Sequence, residues 1–173
     1  MDSRLPKLLF SVLLLWAVDH FSYYYSQLPS VVASHFNAHG TPNGWETKQA
    51  FYVFSVATAL VAFALVFAVP AFIRVTPLSL INLPNKNYWL GPQHKEESQA
   101  FLEGWFAWFG CAVFMVILSA FDFALKFNLQ SSNPPNPARL WYGLAFFVAF
   151  STFWTMRLFL RFSRIPHDSS AAR

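Results

Sequence analysis

Two histidines four residues apart, His35 and His39, stand in the polar run LPSVVASHFNAHGTPNGWETK that spans Leu28 to Lys48. An imidazole can ligate a metal, shuttle a proton or accept a hydrogen bond from a ligand. Protein zinc sites draw three or four ligands, and this HxxxH spacing supplies two. Asp19 and His20 lie upstream and could complete a set. The chain has no HExxH stretch, so the metalloprotease arrangement is absent. Cys111 is the single cysteine and lies in an apolar segment, which excludes an intramolecular disulfide and a Cys-based metal centre. A structural histidine held by hydrogen bonds is the simpler assignment for His35, and the sequence assigns no catalytic residue, metal site or cofactor.

The acidic residues are more unusual than the histidines. Asp19 interrupts an apolar run that begins near Leu8, and at 1.5 Å per helical residue it lies about 17 Å along that run. A carboxylate at such a depth in a bilayer costs about 2.5–3.5 kcal/mol on insertion scales unless it is paired, protonated or wetted. Ser22, Tyr23 and Ser26 continue a polar face from it. Asp122, near the far end of a later apolar run, can approach the same level. Asp19, His20, His35 and Asp122 would then line one polar pocket, or form a hydrogen-bond network that joins helices. Glu103 and Arg157 fall toward the other side of the bilayer, where an ion pair would lower the cost of both. The simpler fate for Arg157 is to snorkel with Arg161 and Arg164 to anionic headgroups.

The elements that must hold these residues are apolar helices. Of 173 residues, 55% are hydrophobic and 12% are charged, about half the charge of a typical soluble domain. Four segments are long enough to cross a hydrocarbon core: Leu8–Gln27, Ala50–Ile73, Ala100–Lys126 and Leu140–Phe162. Asp19 and His20, with no small-x-small cleavage site after them, argue against reading the first as a signal peptide. The predicted fold is all-α, a polytopic four-helix transmembrane bundle with an ordered outer loop between the first two spans. It forms a single membrane domain over 1–173, divided into a span–loop–span unit (8–73), an inner loop (74–99), a second helical pair (100–163) and a disordered tail (164–173). With the N-terminus inside, nine of the twelve Lys and Arg residues fall on the inner side and three (Lys48, Lys126 and Arg139) outside. Both termini are therefore expected inside. Trp141 and Tyr142 suit the outer interface of the last span. The net charge of +4 is scattered, which gives no support to nucleic-acid binding.

The loops carry the remaining signals. Gly40 and Gly44 tolerate positive φ and Pro42 fixes the chain between them, so Gly40 to Trp45 reads as a compact turn. Asn37 and Asn43 can bond their own backbone in such turns. Trp45 suits an interfacial anchor, and Lys48 can reach phosphate headgroups. In the inner loop Tyr88, Trp89 and Leu90 form an apolar cluster suited to the inner membrane face. With His94, Lys95, Glu96 and Glu97 they offer a surface for a partner, although an interfacial anchor followed by a solvated helix start is the simpler reading. The second outer loop, SSNPPNPAR, reads as a stiff connector.

The outer loop also carries a resemblance. Leu28, Pro29, His35, Phe36, Asn37, Gly40, Pro42, Asn43, Gly44, Trp45 and Lys48 match the pattern Leu-Pro, then Pro-x-His-Phe-Asn-x-x-Gly-x-Pro-[Asp/Asn]-Gly-Trp-x-x-Lys. That pattern is similar to a bacterial membrane domain of unknown function that also forms the N-terminal part of SdpI-type toxin-immunity proteins. Ala33 stands where the family usually has proline, and Asn43 where aspartate is common. LPNKNYWLGPQHKEES in the inner loop resembles a segment of stand-alone four-span members, with Gln93, His94 and Lys95 replacing an acidic-basic-basic triplet. The resemblance implies a multi-pass protein of the bacterial cytoplasmic membrane. Immunity proteins of this type have six spans and this chain has four, so immunity itself is not carried over.

Three functions compete. The leading expectation is a non-enzymatic interaction, immunity-like or regulatory protein. Its outer loop and pocket would recognise a peptide, a lipid or a partner subunit. The second is a small proton- or solute-coupled transporter subunit that uses Asp19 and His35 and functions as an oligomer. The third is a metal-dependent membrane enzyme. The expected partners are the lipid bilayer and a membrane protein or peptide.

Overall fold

A computed structural model of the protein describes residues 3–129 and 135–166. The chain order is α1 (Arg4–Tyr25), β1 (Val31–Phe36), β2 (Pro42–Thr47), α2 (Lys48–Val75), a 3-10 turn (Leu78–Leu80), α3 (Lys86–Trp89), α4 (Lys95–Leu129) and α5 (Ala138–Ser163). The helices α1, α2, α4 and α5 are each long and apolar enough to cross a membrane, so the protein is a multi-pass helical bundle. The distal part of the expected tail, from residue 167, lies outside the described residues, as does 130–134 of the proline-rich connector.

The long helix α4 organises the bundle, with α1, α2 and α5 packed against it. Its centre holds the tightest packing, around Phe10, Ala62, Val66, Ala107, Cys111 and Phe114. Phe10 is fully enclosed, with its ring 4.8 Å from that of Phe114. Lipid tails are as apolar as these side chains, so burial alone does not draw the helices together. Close contact and polar bonds must do so. Gly110 provides the closest approach, because a Cβ there would fall 2.2 Å from Val66 Cγ2. A stack of Trp105 on Trp154, with centroids 4.0 Å apart, joins α4 to α5. Elsewhere α5 is largely exposed, with Tyr142 at 76%.

In the segment between α2 and α4, Trp89 and its neighbours are drawn in against the protein, while Leu78 and Leu80 stay exposed. Trp89 and Leu90 are buried, and Trp89 packs with Leu102 and Phe162. Trp89 Nε1 donates to Phe162 O at 3.0 Å. Asn85, in the left-handed region at φ 50°, donates from Nδ2 to Phe162 O and Ser163 O. These two side chains satisfy carbonyls that the end of α5 leaves without helical partners. Trp89 is therefore an internal cap on the end of α5, with 8% of its surface exposed. Tyr88 is half-buried and stacks on His94 at 4.4 Å.

Candidate functional site

The loop between α1 and α2 is a two-stranded antiparallel hairpin, β1 on β2, with Val31 opposite Thr47 and Phe36 opposite Pro42. Its reversal falls at Asn37–Thr41, not at the expected Gly40–Trp45, because Pro42 to Thr47 are extended. Asn37 Oδ1 accepts from His39 N at 2.9 Å and from Thr41 N at 3.0 Å, the Asx turn its side chain suggests. Gly40 takes φ 75° there, which only glycine adopts without strain. Gly44 is needed for a different reason: the His35 side chain lies over it, and a Cβ at Gly44 would be 3.0 Å from His35 Cβ. Thr47 caps α2, its Oγ1 accepting from Ala50 N at 3.2 Å. Lys48 Nζ lies 5.0 Å from the centroid of the Tyr25 ring.

Register shifts on either side of His35 bend β1 and turn Phe36 toward α4. The Phe36 ring meets Phe123 and Phe127 edge-on, with centroids 5.2 and 5.0 Å away. Ala33 N donates to Asn128 Oδ1 at 2.8 Å, and Asn128 Nδ2 donates to Ala33 O at 2.9 Å. Trp141 Nε1, from α5, donates to Ala38 O at 2.8 Å. Leu28 and Val32 close the end of the bundle over Phe51, Ala124 and Leu125. The hairpin is thus a folded cap bonded to α4 and α5. Its other face stays free. Trp45 is 58% exposed, Val31 is 55% exposed, and His35, Asn37 and Asn43 are exposed as well.

Beneath the cap, His20 Nε2 lies 3.2 Å from Asp122 Oδ1, and Lys126 Nζ donates to Asp122 Oδ2 at 2.6 Å. The His20 ring stacks on Trp16 with centroids 4.6 Å apart. This cluster ties α1 to α4 and borders a small cavity of 80 Å³ between α1, α2 and α4. Of the four residues expected in one pocket, only His20 and Asp122 come together. Asp19 projects from an exposed face of α1 and makes no hydrogen bond or ion pair among the described residues. His35 lies out on the hairpin over Gly44. No three His, Cys, Asp or Glu side chains converge among the described residues.

At the opposite end Glu103 is bonded by Lys7 and Arg74, and Ser3 Oγ donates to it at 3.1 Å. The alternative pair with Arg157 is not formed. Instead, Arg157 is exposed beside the Phe153 ring, 5.9 Å from its centroid. The geometry favours Lys7 and Arg74 because α1 and α2 pack against the side of α4 that bears Glu103.

Asn128, Gly110, Lys7 and Arg74 are the important residues that sequence reasoning missed. Lys7 carried a usable signal, since it and Glu103 have opposite signs and lie near the same end of neighbouring spans. Asn128, an amide at the end of an apolar run, carried a weaker one.

A family model described as a domain of unknown function, DUF1648, matches residues 10–59. Those residues comprise most of α1, the whole hairpin and the first part of α2. No curated protein and no solved structure matches the chain.

Proposed function

We propose that the protein is a non-enzymatic recognition protein of the bacterial cytoplasmic membrane, with the hairpin outside and both chain ends in the cytoplasm. The hairpin presents a fixed surface to a peptide or a partner membrane protein. One observation carries this reading. The hairpin is bonded from behind by Asn128 and Trp141, yet it leaves Trp45, Val31 and His35 exposed on its other face. A preordered surface with an exposed aromatic loses little entropy on binding, and tryptophan is enriched among residues that dominate interface energies. The excess of Lys and Arg on the non-hairpin side supports the orientation. The similarity of the loop to the N-terminal part of SdpI-type immunity proteins supports an immunity-like or regulatory setting.

The test is photocrosslinking from the hairpin in native membranes. A crosslinker at Val31 should trap one discrete partner, and His35→Ala with Trp45→Ala should remove that adduct while the protein still inserts. Equal adduct yield from the wild type and the double variant would overturn the reading. A cysteine placed at His39 should react with an impermeant thiol reagent added to whole cells, which checks the orientation.

The His20–Asp122 couple on its intramembrane cavity favours a second reading, a subunit of a proton- or solute-coupled transporter. Since Asp19 lies on an exposed face, Asp122 would carry the coupling within one copy. Proton flux in reconstituted vesicles that disappears in Asp122→Asn would support it. Flux no higher than in empty vesicles would remove it.

A further inference from the structure

At the end of the bundle opposite the hairpin, a cleft of 340 Å³ between α4 and α5 is lined by Phe101, Trp105, Arg157, Leu160, Arg161 and Arg164. Three arginines therefore line one space. Glu97 is the carboxylate that answers one of them, with Arg161 Nη2 at 3.2 Å from its Oε1. Glu103 is already taken by Lys7 and Arg74. Among the described residues the cleft therefore holds an excess of two positive charges.

Two donors in its walls lack partners. Trp105 is 8% exposed and its Nε1 makes no hydrogen bond, and Arg161 Nε is likewise buried without one. Both atoms are closed to a water-sized contact, so the donors left to the cleft are the outer nitrogens of its arginines. The guanidinium of Arg161 is held in position by the Phe101 ring, 4.0 Å from its centroid, which fixes the direction of its remaining hydrogens. Phe101 and Leu160 give the cleft an apolar flank as well.

We propose that this cleft binds a phosphate ester anion, with Arg157, Arg161 and Arg164 as its cationic ligands. Planar guanidiniums suit phosphate oxygens because they donate in pairs. The ends of two membrane-spanning helices place the cleft where lipid headgroups are found, and the apolar flank suits an acyl chain.

The experiment uses the full chain in detergent micelles, with native mass spectrometry to count retained lipid. Phosphatidylglycerol and phosphatidylcholine are added separately, and inorganic phosphate is titrated in a third arm. The wild type should retain one phosphatidylglycerol in preference to phosphatidylcholine. Arg157→Gln with Arg164→Gln, both exposed and therefore safe for folding, should weaken that retention by roughly ten- to thirtyfold, at about 1 kcal/mol per arginine. The indole resonance of Trp105 should shift on adding phosphatidylglycerol. Displacement of the lipid by millimolar inorganic phosphate would support the same site with a soluble ligand. Equal retention of both lipids by wild type and variants, with no response to phosphate, would overturn the proposal.

Discussion

Asn128 pairs with both backbone groups of Ala33, accepting from its N–H at 2.8 Å and donating to its carbonyl at 2.9 Å. One side-chain amide on α4 thus does what a third strand would do for the edge of β1. Ala33 is nearly fully buried, so losing the amide leaves an unpaired donor and acceptor, at about 1–3 kcal/mol each. Asn128→Ala should speed hydrogen exchange of the β1 amides at least tenfold while the middle of α2 keeps its protection. Unchanged exchange in β1 would show that the amide pair is not what secures the hairpin.

Glu103 answers two cations at the other end of the bundle, so its loss leaves Lys7 and Arg74 uncompensated beside apolar helices. Glu103→Gln should lower the thermal midpoint in micelles by several degrees. Adding Lys7→Met should recover part of that loss, because contacting charges couple by about 0.5–3 kcal/mol. Arg157→Gln, at an exposed position, should leave the midpoint within error. An equal loss from Arg157→Gln would mean that Glu103 depends on Arg157 after all.

Gly110 lets α4 touch Val66 on α2. Gly110→Ala overfills that contact and should destabilise by about 1–3 kcal/mol. Val66→Ala removes the clashing methyls, so the double variant should be no worse than Val66→Ala alone. Gly143→Ala, where a Cβ would meet nothing within 4 Å, should be neutral or slightly stabilising. Thermal midpoints of the four variants, each against the wild type, give both comparisons.

Gly40 combines φ 75° with contact against Pro137, whose Cβ would lie 2.7 Å from an added Cβ. Gly40→Ala should cost about 1–3 kcal/mol at the tip of the hairpin. Limited proteolysis of vesicles should then cut between β1 and β2 faster than in the wild type, with the helices untouched.

The four spans could be read from the sequence because lipid imposes an unbroken apolar length on each of them. Asn37 and Gly40 announced a turn, and both contribute to it. The hairpin was harder to see, because Pro42, Asn43 and Gly44 are turn formers that here occupy a strand. Their placement depends on Asn128, which is 95 residues from Ala33. His20 and Asp122 were correctly suspected of proximity, while Asp19, one residue from His20, turns to another face of the helix. A single position along α1 rotates the side chain by about 100°, which counting depth along a span does not capture. Sign and depth also allow a pair between Glu103 and Arg157, but the packing side of α4 gives Glu103 to Lys7 and Arg74.

The helices α1 and α2 flank the hairpin in sequence and meet through the rings of Phe10, Phe21 and Tyr25, yet the backbone of each comes closest to α4. During synthesis the first two spans and their hairpin emerge well before the helix that fits between them. Ala33 must wait for Asn128, and Lys7 for Glu103. The segment that resembles other proteins is therefore a socket, and the third span is the wedge that completes it. Its arrival marks the step at which this membrane protein acquires its shape.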